Sequence, residues 1–157
     1  NFIYLHGSPE GRLINILKDG SLVTISVMEL NGIVLAKKIR YNSINYSSAL
    51  IFGKGEEISD INSKLAVFKA FVNRVLLGRW ENSIIPSEDD LRNVSVLKIN
   101  IISYSMKRRD GGPYKDKNDD MKIWDGVIPF VHKYEMPEGN EENLPAYIKD
   151  KILSSRK

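Results

Sequence analysis

The first residues with a chemical reading are His6, Gly7, Ser8 and Pro9, which follow the short apolar run from Phe2 to Leu5. A strand that ends in His-Gly-Ser and feeds a helix, with Ser8 as N-cap and Pro9 at the first helical position, leaves several backbone N–H groups aimed at one point. The helix dipole backs them, and this geometry binds phosphate. Arg12, in the first turn or so, adds a guanidinium able to make a bidentate contact to the same anion. Taken alone, an ordinary capped helix with a solvent-facing arginine accounts for the segment better, because such caps are common.

Other residue sets carry chemistry more weakly. Asn42, Ser43, Asn45, Tyr46, Ser47 and Ser48 offer many hydrogen-bonding groups, suited to a polyhydroxylated chain or the edge of a heterocycle, yet they are also turn formers. Lys107, Arg108 and Arg109, followed by Gly111-Gly112-Pro113, make either a basic lip over an anionic ligand or a solvated loop, and charge runs usually are the latter. Trp124 offers an aromatic wall for a planar ring, although a tryptophan in an apolar strand is core filling more often. His6 and His132 are too few and too far apart to argue for a metal site, and none is predicted. Gly53-Lys54-Gly55 lacks the rest of a phosphate-binding P-loop, and no serine stands in a nucleophile elbow.

The elements that must position these residues can be read from periodicity. After the Phe2 to Leu5 strand, Leu13, Ile14, Ile16 and Leu17 mark one face of a helix that runs to about Lys18 and stops at Asp19-Gly20. "SLVTISVMELNGIVLAKKI" reads as two strands joined by a tight hairpin at Asn31-Gly32. A polar Asn/Ser turn then leads to a strand from about Ser48 to Gly53. Asp60 to Leu77 reads as an amphipathic helix burying Leu65, Val67, Phe68, Phe71, Val72 and Val75. A short helix capped by Ser87 precedes the long strand "VSVLKINIISYSM", and Lys107 to Asp120 reads as a solvated loop. A last strand in "KIWDGVIPFVHKYEMP" and a C-terminal helix with its tail, over residues 143–157, complete the chain. Antiparallel strands with helices set into their connections favour a small β-barrel with α excursions over a parallel α/β sheet.

The chain has 157 residues, 42% of them hydrophobic, which suits one domain over 1–157. Without cysteine it has no disulfide, thiolate site or thiol nucleophile, and a reducing compartment suits it. No apolar stretch approaches the roughly 18–20 residues of a membrane-spanning helix. The net charge of +3, from 23 Lys and Arg against 20 Asp and Glu, is much weaker than the basic stripe of a dedicated nucleic-acid binder. It suits an anionic small ligand.

Taken together and in order, the segments resemble the FMN-binding split-barrel proteins related to pyridoxamine 5'-phosphate oxidase, especially the branch that includes the nitroimidazole-reductase-like proteins. "YLHGSPEGRLINILKDG" resembles that branch's strand-HGS-helix segment, "LNGIVLAKK" its "DG-VLA" hairpin, and "NSINYSS" its "SMNYRS". "GRW" at Gly78 to Trp80 stands in the expected place, "SYSMKRRDGGP" resembles "SAKVRTGPP", and "IWDGVIPF" resembles "VWAGVVPL".

The resemblance implies a mainly β, six-stranded Greek-key-like split barrel, normally a homodimer with FMN where the subunits meet. It implies that Arg12 contacts the FMN phosphate, that His6 and Gly7 line the ribityl and ring region, and that Asn45, Tyr46 and Ser48 reach the flavin or phosphate. Lys107, Arg109 and Trp124 are implied at the pocket's rim, from the same subunit or its partner. Two departures stand out. Ser47 replaces the arginine of "NYRS", and the two or so strands that normally precede "YLHGS" are missing, which implies that Asn1 follows a further segment.

The function implied is a cytoplasmic FMN-dependent oxidoreductase acting on an unidentified small molecule, with the flavin carrying the electrons and His6 a candidate proton donor. The alternative is a non-catalytic flavin- or haem-binding module or dimeric scaffold that has kept the barrel. Neither reading calls for nucleic acid or a membrane.

Overall fold

In the computed structural model, which describes residues 1–118, 122–139 and 141–154, the long amphipathic runs become five strands and four α-helices. In chain order they are β1 (Phe2–Gly7), α1 (Arg12–Lys18), β2 (Leu22–Leu35), β3 (Ser43–Ile58), α2 (Ile61–Val75), α3 (Glu88–Arg92), β4 (Ser95–Arg109), β5 (Gly126–Pro129) and α4 (Ala146–Ser154). The strands form one sheet in the order β1-β4-β3-β2-β5, which does not close on itself. β1 runs antiparallel to β4 with Phe2 opposite Asn100 and Gly7 opposite Ser95. β5 runs antiparallel to β2, with Gly32 opposite Pro129 and Leu35 opposite Gly126.

The chain divides into two compact units, one of Asn1–Ile25 with Ile51–Tyr104 and one of Ser26–Leu50 with Ser105–Lys157. In the first, Ile14 and Leu17 of α1 are buried with Leu97 and Ile99 of β4, and Ile3, Leu5, Val23 and Ile25 pack against them. Gly53 allows close strand approach here, since a Cβ at that position would stand 2.6 Å from the Asn100 carbonyl oxygen. α2 starts at Asp60, whose carboxylate accepts from the Ser63 amide at 2.7 Å. α3 starts at Ser87 with a reciprocal capping box to Asp90. Lys64 of α2 is 6% exposed and donates from Nζ to the carbonyls of Leu91 at 2.9 Å and Val94 at 2.7 Å. A buried cation is tolerated because those oxygens satisfy it.

In the second unit, Val34 of β2 and Ile152 of α4 are buried. The side chain of Asn31 donates to the Ser47 hydroxyl at 3.3 Å, and its carbonyl accepts from the Phe130 amide at 3.0 Å. Beyond β2, Lys38 and Asp116 pair at 2.6 Å, and the rings of Tyr41 and Tyr114 lie 4.6 Å apart.

Several elements differ from the sequence expectation. Asn31-Gly32 makes no hairpin: β2 continues through it as one strand of 14 residues. Gly32 serves a close approach instead, since a Cβ there would stand 2.8 Å from the Ile128 carbonyl oxygen of β5. α1 begins at Arg12, with Gly11 as N-cap and no side-chain cap, and Ser8 instead opens the preceding turn, where its carbonyl accepts from the Gly11 amide at 2.9 Å.

The Asn/Ser segment is already strand from Ser43, and β4 extends through Arg109, so Lys107 to Arg109 are strand residues and not loop. Residues 119 and 120, at the end of the expected loop, lie outside the described residues. The last strand shrinks to Gly126–Pro129. On α2, Phe71 and Val75 of the expected buried face are 49% and 63% exposed.

Candidate functional site

His6, Gly7 and Arg12 belong to the first unit, whereas Asn45, Tyr46, Ser48, Lys107, Arg109 and Trp124 belong to the second. β1 delivers His6, which is exposed, with its ring centroid 5.3 Å from those of both Phe68 and Phe71 of α2. Gly7 lets β1 press onto α1, where a Cβ would meet the Ile14 side chain at 3.0 Å. Arg12 is exposed at the first position of α1. No side chain caps this helix, so its first-turn amides are left without a side-chain acceptor.

In the second unit, strand pairing brings one group together. Asn45 is buried and accepts through Oδ1 from the Arg109 guanidinium, which also donates to the carbonyls of Gly111 and Gly112 at 3.2 Å each. Ser48 and Lys107 line a cavity of about 370 Å³ with Ser47, Met106 and Arg108, walled by Val27 and Glu29 of β2. Arg108 pairs with Asp110 at 3.2 Å, while Lys107 is exposed.

A cavity of this size, with largely apolar walls and the polar groups of Ser47, Ser48, Lys107, Arg108 and Glu29, has the character of a small-molecule site. Tyr46 is half-buried in β3 beside this group. Trp124 stands just before β5 and is 62% exposed, so it is not core filling. Its ring covers the backbone of Gly126, where a Cβ would stand 2.6 Å from Cζ2.

Sequence reasoning missed Val27, Glu29 and Met106 as cavity wall, because only pairing brings β2 and β4 residues to β3. It also missed that Asn31 fixes Ser47, the residue that replaces the expected arginine.

A second cavity, of about 570 Å³, lies in the first unit beside Tyr4, Ser59 and Lys98, and its acids already have structural work. Glu56 accepts from Asn100 at 3.2 Å, Glu57 pairs with Lys18 at 2.9 Å, and Asp60 caps α2. Hydrogen bonds from Ser63, its side chain foremost, hold the Asp60 carboxyl below the usual carboxylate range. Ser87 does the same to Asp90, and Lys38 to Asp116, so these lowered groups are caps and ties rather than candidate acids or bases. Among the described residues no three His, Asp or Glu side chains come together to hold a metal ion. No helix among them is long and apolar enough to cross a membrane.

Comparison with known proteins adds what geometry alone does not. A profile of the family described as pyridoxamine 5'-phosphate oxidase matches residues 1–108. The chain belongs to that family. Two solved structures are similar to this pyridoxamine 5'-phosphate oxidase relative over nearly its whole length. The flavocytochrome Anf3 from Azotobacter vinelandii is 29% identical with a TM-score of 0.83, over 96% of this chain and 73% of that one. The FAD and haem binding protein from Mycobacterium smegmatis is 25% identical with a TM-score of 0.87, over 97% and 78%. No curated protein matches the chain. The open, mainly antiparallel sheet of this family member is thus a split barrel.

Proposed function

We propose that this chain is an FMN-binding flavoprotein, an FMN-dependent oxidoreductase of the pyridoxamine 5'-phosphate oxidase class that works as a cytoplasmic homodimer. Family membership across residues 1–108 is the observation that carries the reading, and the names of the two structural relatives, a flavocytochrome and an FAD and haem binding protein, support it. The donor set fits the group. Arg12 and the uncapped amides of α1 take the phosphate, and His6 and Gly7 line the ribityl and ring region.

The same proposal assigns Asn45, Tyr46, Ser48, Lys107, Arg109 and Trp124 to flavin binding in the homodimer. Asn45 holds Arg109 in place, and Ser48 and Lys107 offer a hydroxyl and a cation from one cavity wall. When bound, the flavin supplies the redox chemistry, while the protein binds, orients and shields it. His6, exposed at the end of β1 and packed on Phe68 and Phe71, is the candidate to hold a proton on its imidazole for the substrate.

Protein purified from cells, denatured and chromatographed tests this reading. Release of FMN is expected, release of FAD overturns the choice of FMN, and a colourless preparation that fails to take up added flavin overturns the reading.

A second reading, haem binding, is favoured by one specific observation. A further cavity in the second unit is walled by Met28, Leu30 and Phe130 and includes His132, one of only two histidines in the chain. Both structural relatives carry names that include a haem or cytochrome.

A further inference from the structure

The geometry points to His132 as the axial ligand of a haem seated on the apolar surface of Met28, Leu30 and Phe130, a proposal that rests on the haem reading above. The cavity measures about 550 Å³, within the range of sites for cofactor-sized ligands. Its apolar walls lie open: Met28 is 65%, Leu30 43% and Phe130 41% exposed. Contiguous apolar side chains left in water mark a surface that something covers. A flat macrocycle with an apolar face suits that surface, and haem iron commonly takes a histidine from the protein.

Only two imidazoles exist to serve, and their surroundings separate them. His6 lies against Phe68 and Phe71, beside a cavity of only about 10 Å³. His132 is exposed, lines the 550 Å³ cavity, and among the described residues makes no hydrogen bond, ion pair or ring contact. The segment that carries it is fixed at its start, where the Phe130 amide donates to the Asn31 carbonyl of β2 at 3.0 Å. Phe130 and His132 are therefore presented from an anchored stretch of backbone.

The absence of a three-ligand cluster among the described residues does not bear on this site, because the porphyrin supplies the in-plane nitrogens and the protein need add one ligand. Glu29, between Met28 and Leu30 in β2, also lines this cavity.

Titration of the purified full-length chain with hemin, followed by its Soret band, tests the assignment. Saturation at one equivalent is expected, with an iron–imidazole stretch in the resonance Raman spectrum of the reduced protein. His132→Ala should weaken binding at least tenfold and abolish that stretch, added imidazole should restore the spectrum, and His6→Ala should leave it intact. Since His132 is exposed, circular dichroism of His132→Ala should match the parent, and the Raman signature of the unsubstituted protein tests ligation independently of any variant. Hemin bound with unchanged spectrum and affinity in His132→Ala overturns the assignment of the ligand alone. No saturable hemin binding overturns the haem reading together with it, whereas flavin uptake, measured separately, is unaffected by either result.

Discussion

Replacing Asn45 by Leu removes one acceptor from the Arg109 guanidinium while keeping the volume of the side chain. Asn45 is only 7% exposed, so its amide has little water to turn to, and Arg109 keeps the Gly111 and Gly112 carbonyls at 3.2 Å. A hydrogen bond from a charged donor contributes about 1.5–3 kcal/mol. Because Arg109 is half-buried and regains some solvent, the lower end applies, about 1.5–2 kcal/mol. For a chain of this length that corresponds to a fall in Tm of about 3–8 °C. Arg109→Met should cost more, since it also abandons the two glycine carbonyls.

Urea denaturation of the parent, both single variants and Asn45→Leu/Arg109→Met closes a double-mutant cycle. A coupling of about 1.5 kcal/mol is expected. Additivity to within about 0.5 kcal/mol would refute the claim that Asn45 positions Arg109. Under the flavin reading, Asn45→Leu also weakens FMN binding through Arg109, a loss absent from Arg109→Met/Asn45→Leu relative to Arg109→Met.

Arg12→Ala should raise the Kd for FMN by about 10- to 150-fold, as expected for a charge-assisted phosphate contact of about 1.5–3 kcal/mol, while riboflavin affinity stays constant in fluorescence titrations. Gly53→Ala should destabilise by about 1–3 kcal/mol in thermal melts, because the new methyl meets backbone at Asn100 and cannot be relieved by a side-chain rotation. Asp60→Ala removes a cap whose carboxyl is held below its ordinary value of 3.8. A lowered carboxylate stabilises the fold above that value and loses its effect as pH falls through its folded pKa. The urea midpoint of Asp60→Ala should therefore lie below the parent's at pH 7, and the gap should close below about pH 4.

What could be read in the chain was what local chemistry decides. The Ser87 capping box and the Asp60 start of α2 follow from side chains that reach only their own first turns. The ordered motifs from His6 to Trp124 carried the family, and the profile match over residues 1–108 agrees with that resemblance. Features set by a distant partner were hidden.

Asn31-Gly32 has the composition of a hairpin turn, but the small residue is needed where β5 approaches and the amide where Ser47 lies. Asn45 has the composition of a turn residue, but Arg109, 64 positions away, gives it a strand environment. Trp124 looked like core until β5 proved to be four residues long. Equally, the cavity beside His132 is built from β2 and a segment a hundred residues later, so two distant histidines gave no spacing to recognise.

The most direct test of the flavin account is a titration of the flavin-free chain with FMN and, in parallel, with riboflavin. The account predicts saturation at one FMN per chain with quenched flavin fluorescence, and at least tenfold weaker binding of riboflavin, which lacks the phosphate that Arg12 and α1 would hold. FMN and riboflavin binding with equal affinity, or neither saturating, would contradict it.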